Sequence, residues 1–250
     1  MLTKNIFRIP REKSSAGILT FSFLLAVFSS LHFKWPNLLI ALISYLLFLL
    51  TFDFLFENSA KPFNINYIMI VLLDAVPIFI AIALNGMIVL LGILPSLICA
   101  SIYLLYAIRR KGRSVQALVL GSSILAGFYY YFASILSWLG FAKSLIGFLL
   151  FSYNAAEVLY VESKLKFRNI DPKYSFAIFL TSFLAFIYLP LYFVLPLVEP
   201  SVRFFVNVFK NRKFSNYEEI NMFGIKEFAR YSLFFIFLCI ITVIYEVKII

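Results

Sequence analysis

The chain has 250 residues, of which 63% are hydrophobic and 14% charged. Soluble domains are about half apolar and about a quarter charged, so this composition excludes an ordinary soluble domain. The net charge of +10 does not indicate nucleic-acid binding, because lysine and arginine are concentrated between apolar runs, where they meet lipid headgroups. We predict an all-α polytopic membrane protein with a single transmembrane domain over residues 1–250 and the lipid bilayer as its partner.

Apolar runs of about 20 residues, which suffice to cross a bilayer, recur along the whole chain. The basic segment 1–14 precedes the first run. This run is long for a signal peptide, and no clear small-residue cleavage site follows it, so we expect a retained helix. The predicted spans are 15–33, 36–57, 66–84, 86–108, 115–136, 138–161, 174–190, 191–209 and 225–246.

The stretch 174–209 decides between nine spans and eight. As one helix its 36 residues would extend about 54 Å, whereas the hydrocarbon core is about 30 Å thick. Pro190, Pro196 and Pro200 offer places to break the helix, which favours a tight helical hairpin. One tilted helix followed by an interfacial helix is the alternative.

The distribution of basic residues favours nine spans. With a cytoplasmic N-terminus, nine spans place nineteen of the 22 lysines and arginines in cytoplasmic segments, whereas eight spans place only fourteen there. Nine spans also place Trp35 and Trp138 at the outer interface, where amphipathic rings tend to lie. We therefore expect a multi-pass protein of the cell membrane with segment 1–14 in the cytoplasm.

Two acidic clusters then lie at the cytoplasmic ends of spans. Asp53 and Glu57 are four residues apart at the end of span 2 and share a helical face. The end of span 6 carries Asn154, Glu157 and Glu162. Oxygen ligands from two helices can hold Mg²⁺ through the phosphates of a substrate, so these five residues are candidate metal ligands.

A basic cluster at the end of span 4 lies on the same predicted side of the membrane. Its arginines could neutralise a leaving diphosphate, while the isoprenoid tail of the substrate lies in the bilayer. The candidate diphosphate-binding residues are Arg109, Arg110, Arg113, Lys164 and Arg11. The alternative is that the carboxylates are solvated or paired with nearby lysines, and that the basic loops only set orientation.

Several segments resemble a known family. The segment "IPREKSSAG", 9–17, resembles the Pro-Arg-Glu-His-Gly-Ala-Trp motif that opens YwiC-like membrane proteins; Pro10, Arg11 and Glu12 match, and Lys13 stands at the histidine. The segment "AIRRKGRSVQALVLGSSILAG", 107–127, resembles the basic loop and following helix of that family. The resemblance implies a multi-span membrane protein of unsettled activity.

The layout is also similar to that of UbiA-type prenyltransferases, which have nine helices and acidic motifs after helices 2 and 6. This similarity implies a UbiA-like bundle and a Mg²⁺-dependent transferase acting on an isoprenoid diphosphate at the cytoplasmic face. Asp53 and Glu57 stand at the first motif. Asn154, Glu157 and Glu162 stand at the second motif and lack its regular acidic spacing.

Two other classes of function remain open. In a transporter or permease, Asp74 and Glu199 would lie on a solute or proton path; Asp74 falls in the middle of span 3, where a carboxyl group must be neutral, paired or facing a cavity. Glu199 and Arg203 have the spacing of a helical ion pair, and Glu227 is expected at the beginning of the last span, as a capping residue. A non-catalytic membrane protein is the third class.

Overall fold

The computed structural model describes residues 13–58, 65–210 and 212–249. Within these ranges the chain is helical, and its only β-type pairing is a single bridge between Leu165 and Phe214. The α-helices are α1 Lys13–Phe28, α2 Trp35–Asn58, α3 Ile65–Asn85, α4 Ile88–Ile108, α5 Val115–Leu136, α6 Phe141–Ser163, α7 Lys173–Thr181, α8 Val198–Phe209 and α9 Tyr217–Ile249. Two 3-10 helices, Ser182–Ile187 and Leu191–Leu197, lie between α7 and α8.

Seven helical segments of the described chain are long and apolar enough to cross a membrane. They are α2 to α6, the continuous segment Leu191–Phe209, and α9, whereas α1 and the segment Lys173–Ile187 are apolar but shorter. Large apolar side chains such as Phe79 and Leu91 are more than half exposed, as expected where helices face lipid. The chain is therefore an α-helical multi-pass membrane protein; nine spans and a cytoplasmic N-terminus stay predictions.

Most helix bounds agree with the apolar runs, but two do not. The first helix ends at Phe28 and not near residue 33, since a turn follows at Ser29. The last helix begins at Tyr217 and not near residue 225. Asn216 accepts a hydrogen bond from the backbone N–H of Glu218 at 3.2 Å, and the acidic first turn suits a helix N-terminus. Hydropathy misses this start because the first turns of α9 are polar.

The chain turns back on itself within 174–209, as expected for a hairpin, whereas two membrane spans in this stretch stay a prediction. Helical structure stops at Ile187 and resumes at Leu191, after Pro190 in an extended conformation with ψ of 147°. The two limbs pack against each other, with ring centroids 5.9 Å apart for Phe176 and Phe205 and 4.9 Å apart for Phe179 and Phe204. With a rise of about 1.5 Å per residue in α-helix and about 2.0 Å in 3-10 helix, the limb Lys173–Ile187 is about 26 Å long. The limb Leu191–Phe209 is about 32 Å long.

The chain forms two compact units, unit 1 over Met1–Gly140 and unit 2 over Phe141–Ile250. In unit 1, α4 and α5 approach closely through small residues. A Cβ at Gly92 would lie 2.4 Å from Ser134 Oγ and 2.7 Å from the Tyr130 carbonyl, and Ser96 Oγ donates to the Ile124 carbonyl at 2.9 Å. This is the small-residue packing typical of membrane helices.

In unit 2, two connecting segments meet at one end of the helices. The backbone N–H of Lys166 donates to the Phe214 carbonyl at 3.0 Å, and the N–H of Phe214 donates to the Lys164 carbonyl at 2.7 Å. These bonds join the end of α6 to the link between α8 and α9. We call this the basic end of unit 2, after Lys164, Lys166, Arg168, Lys210, Arg212 and Lys213.

Candidate functional site

Three helices of unit 2 bring charged side chains together inside the membrane-spanning part of the unit. Arg203 comes from α8, Glu157 from α6 and Glu227 from α9. Their exposed fractions are 8%, 6% and 3%, respectively. Arg203 and Glu157 each lie six residues before the end of their helix, about 9 Å from the basic end. A guanidinium and two carboxylates are thus removed from water, which is costly unless they are paired.

Arg203 pairs with both carboxylates. Its Nη1 donates to Glu157 Oε1 at 2.9 Å and also to Glu227 Oε2. Its Nη2 lies 2.9 Å from Glu157 Oε2 and donates to Tyr153 Oη at 3.0 Å. The planar guanidinium is suited to such multiple pairing, because its donors diverge in one plane.

Two further residues extend this cluster to the surface of unit 2. Glu199, 53% exposed at its side chain, lies 3.3 Å from Arg203 Nε, which confirms the helical ion pair expected from the spacing. Arg230, 43% exposed at its side chain, donates to Glu227 Oε1 at 2.6 Å and lies 3.5 Å from Glu199. We call Glu157, Glu199, Arg203, Glu227 and Arg230 the Arg203 network.

Aromatic rings surround the buried part of the network. The Arg203 guanidinium lies 4.9 Å from the ring centroids of both Tyr160 and Phe204. Tyr153 stacks on Phe234 with centroids 3.8 Å apart. The Tyr160 and Phe204 rings offer their negative faces to the cation, which favours a buried guanidinium.

Two buried asparagines flank the network along the helices. Asn154, three residues before Glu157, accepts a hydrogen bond from Tyr231 Oη at 3.3 Å, and Asn207, four residues after Arg203, donates to Ser163 Oγ at 3.3 Å. Within the described part of the chain, Asn154 Nδ2 and Asn207 Oδ1 have no hydrogen-bond partner. Each therefore offers a hydrogen-bonding position next to the network. Asn154 lies on the side away from the basic end, and Asn207 lies on the side towards it.

Lys164 lies beside the network at the basic end. Its side chain is buried, and its Nζ is 5.2 Å from the centroid of the Tyr160 ring, which also receives Arg203. Burial lowers the pKa of the Lys164 ammonium, and the Glu227 carboxylate opposes that shift. A second cation thus lies within electrostatic range of the same carboxylate.

The residues predicted as metal ligands in unit 2 have separate partners. Glu157 belongs to the Arg203 network, Asn154 pairs with Tyr231, and Glu162 Oε2 lies 2.8 Å from Arg168 Nε. Among the residues that the structure describes, no three His, Cys, Asp or Glu side chains are grouped so that they could hold a metal ion. The Mg²⁺ site stays a prediction.

The remaining predicted site residues belong to unit 1. Asp53 is buried near the end of α2, and the side chain of Glu57 lies outside the described residues, as does Arg11. Arg109, Arg110 and Arg113 are exposed in the link between α4 and α5. Arg110 has a φ of 57°, and its backbone N–H donates to the Ala107 carbonyl at 2.9 Å.

Asp74 is buried in the middle of α3, with 6% exposure. Its Oδ2 is 2.8 Å from Thr51 Oγ1 of α2. The carboxyl group thus contacts a hydroxyl group on the neighbouring helix α2.

The sequence contains a sign of the Arg203 network that hydropathy and loop charge do not capture. Glu199, Arg203 and Asn207 recur every four residues in an otherwise apolar helix, which predicts a polar stripe facing protein. The nineteen basic residues counted as cytoplasmic include Arg203, so that count overlooks this stripe. The expectation that Glu227 caps a helix beginning is wrong, since Glu227 is the eleventh residue of α9 and pairs with Arg203.

No protein-family model matches this sequence, and no curated protein or solved structure matches it significantly.

Proposed function

We propose that this protein is a permease-type protein of the cell membrane that moves protons, with the Arg203 network as its proton-exchanging centre. The observation that carries this proposal is the imbalance of charge in the network. Three carboxylates pair directly with two guanidinium groups, so these five residues carry a net charge of −1 when all are ionised. The nearby cation is the Lys164 ammonium, whose own pKa is lowered by burial. In a low-dielectric interior, an excess carboxylate binds a proton more readily than it stays ionised.

The position of the network supports a route for that proton. Glu199 and Arg230 are about half exposed, whereas Glu157 and Glu227 are buried, so the network continues from the surface into the interior of unit 2. Asn154 and Asn207 add hydrogen-bonding positions on its two sides. Ionisable residues within membrane spans that pair with one another commonly belong to ion or proton pathways.

The proposal is tested by proton flux into liposomes. The purified protein is reconstituted with an internal pH-sensitive dye, and a potassium diffusion potential drives proton entry. We expect protein-dependent acidification that Glu227→Gln lowers by at least about tenfold, because the amide cannot exchange a proton. Glu246→Gln is the matched control, since Glu246 is also a glutamate of α9 but pairs with Lys143 at 3.9 Å. Equal flux with and without protein would refute the proposal.

A second candidate is the Mg²⁺-dependent transferase implied by the UbiA and YwiC-like resemblances, acting on an isoprenoid diphosphate. The observation that favours it is the basic end of unit 2. There Lys213 Nζ donates to the Arg168 carbonyl at 3.1 Å, and the Lys164–Phe214 and Lys166–Phe214 bonds hold both basic links together. Lysine and arginine side chains grouped in this way could bind a diphosphate headgroup.

Binding experiments separate the two candidates. The transferase predicts Mg²⁺-dependent binding of a prenyl diphosphate, reduced at least about tenfold by Asp53→Ala through loss of a metal ligand. The permease predicts no such binding and an undiminished proton flux in Asp53→Ala. Diphosphate binding without proton flux would replace the first proposal by the second.

The transferase candidate rests on nine spans with the N-terminus in the cytoplasm. This arrangement places the basic end of unit 2 on the cytoplasmic side and the residue after α9 outside. A reporter joined to the last residue and found in the cytoplasm would contradict it.

A further inference from the structure

Asp74 occupies an unusual place for a carboxyl group. It is the tenth residue of α3, so it lies about 13–17 Å from either end of a helix that can span a membrane. Its neighbours Leu72 and Val76 are 61% and 51% exposed, on a surface that faces lipid, whereas Asp74 itself is 6% exposed. An ionised carboxylate at such a depth is strongly disfavoured unless a cation or several donors compensate it.

The helices that pack against α3 provide no cation. The sequences of the four described helices α2, α3, α4 and α5 contain no lysine, arginine or histidine. The other titratable side chains of these helices whose side chains the structure describes are Tyr45, Asp53, Tyr67, Cys99, Tyr103, Tyr106, Tyr129, Tyr130 and Tyr131. Within the described residues, Asp74 Oδ1 has no hydrogen-bond partner.

The contacts of Thr51 indicate which protonation state is present. Thr51 Oγ1 lies 2.9 Å from the Leu47 carbonyl oxygen and 2.8 Å from Asp74 Oδ2. A threonine hydroxyl has one hydrogen, so it cannot donate fully to both oxygens. If Asp74 were ionised, one of these short contacts would join two oxygens without a hydrogen between them. If Asp74 Oδ2 carries a proton, it donates to Thr51 Oγ1, and Thr51 donates to Leu47.

We infer that Asp74 is a proton-binding site in unit 1, which holds its proton as a neutral carboxylic acid donating to Thr51. The ligand is a proton, and the acceptor that fixes it is a hydroxyl on the neighbouring helix. This site is independent of the Arg203 network, since its residues belong to the other unit and use no ion pair. It therefore stands even where the proposed function fails.

Infrared spectroscopy of the reconstituted protein tests the inference, because a carboxylic acid and a carboxylate have well-separated C=O stretching bands. The sequence has only three aspartates, Asp53, Asp74 and Asp171. Protein labelled with carboxyl-¹³C aspartate should show an isotope-shifted acid band at neutral pH, and Asp74→Asn should remove it. Asp171→Asn is the matched control and should keep the band, since Asp171 is exposed and accepts from the backbone N–H of Lys173 at 2.9 Å.

Thr51→Val provides a second measurement that does not change the carboxyl group. Removal of the acceptor should shift the acid band of Asp74 to the frequency of a more weakly bonded acid, in a protein that remains folded. An aspartic-acid band of unchanged intensity in Asp74→Asn, or the absence of any aspartic-acid band from the wild type, would overturn the inference. So would a Thr51→Val spectrum identical to that of the wild type.

Discussion

The two units of this protein treat buried carboxyl groups in opposite ways. In unit 2, Glu157 and Glu227 are compensated by a buried arginine within the same set of helices. In unit 1, Asp74 contacts a threonine hydroxyl, and the described helices α2 to α5 contain no basic residue. A membrane interior can accept a carboxyl group as an ion in a network or, as we infer for Asp74, as a neutral acid.

The two units also differ in how their helices pack. The α4–α5 contact in unit 1 depends on glycine and serine, which let two backbones approach closely. Unit 2 places charged and aromatic side chains between α6, α8 and α9. We therefore expect added side-chain volume to lower the stability of unit 1, and removal of a charged group to lower the stability of unit 2.

The largest expected effect is that of Arg203→Met. It leaves the buried Glu157 carboxylate without its cation and Glu227 with Arg230 alone. Removing one partner of a buried ion pair costs about 3–5 kcal/mol of unfolding free energy. Denaturant or thermal unfolding in mixed micelles measures the change. Arg212→Met is the control, since Arg212 is 75% exposed at its side chain and pairs with Glu219, so we expect less than about 1 kcal/mol there. Similar losses in both variants would contradict the contrast between the units.

Gly92→Ala should have the next largest effect, in unit 1. The added Cβ would meet Ser134 Oγ at 2.4 Å and the backbone oxygen of Tyr130 at 2.7 Å, so α4 and α5 must separate. We expect a loss of about 1–3 kcal/mol of unfolding free energy from this overpacking. Gly224→Ala is the control, because a Cβ there meets nothing within 4 Å and alanine favours the helix by about 1 kcal/mol. An unchanged unfolding free energy in Gly92→Ala would show that the contact between α4 and α5 is looser than described.

Arg110→Gly should produce the smallest change, and it should be stabilising. The bonds from the N–H of Arg110 to Ala107 and from Lys111 to Tyr106 close α4 in a motif that favours glycine at the left-handed position, where Arg110 has a φ of 57°. Glycine relieves this backbone strain, and we expect a gain of about 0.5–1 kcal/mol of unfolding free energy. Arg110→Ala removes the same charge but keeps the strain, so it should show no gain.

The fold was predictable from sequence wherever hydropathy alone determined it. The span 115–136 agrees with α5, and the break at Pro190 was foreseen because proline cannot continue a helix. The beginning of α9 was missed because its first turns are helical but polar, and hydropathy identifies only apolar turns. Hydropathy detects lipid contact, and it does not detect a helix that continues into the polar region.

The candidate site was less predictable than the fold. Asn154, Glu157 and Asp74 were singled out as polar residues in apolar segments, but their partners were not. Glu227 lies 70 residues from Glu157 and 24 residues from Arg203, and no local pattern connects positions so far apart. Pairing across three helices depends on which faces they turn towards one another, and this is a property of their packing.

By itself, the sequence determined that this chain resides in a membrane as a set of helices, because its long apolar runs cannot remain in water. It also determined that the described helices α2 to α5 carry no basic residue to pair with Asp74. Only the tertiary structure decided that Arg203 turns inward to Glu157 and Glu227 instead of outward to the headgroups. The reason is that a buried charge is tolerated only where several helices together supply its partners.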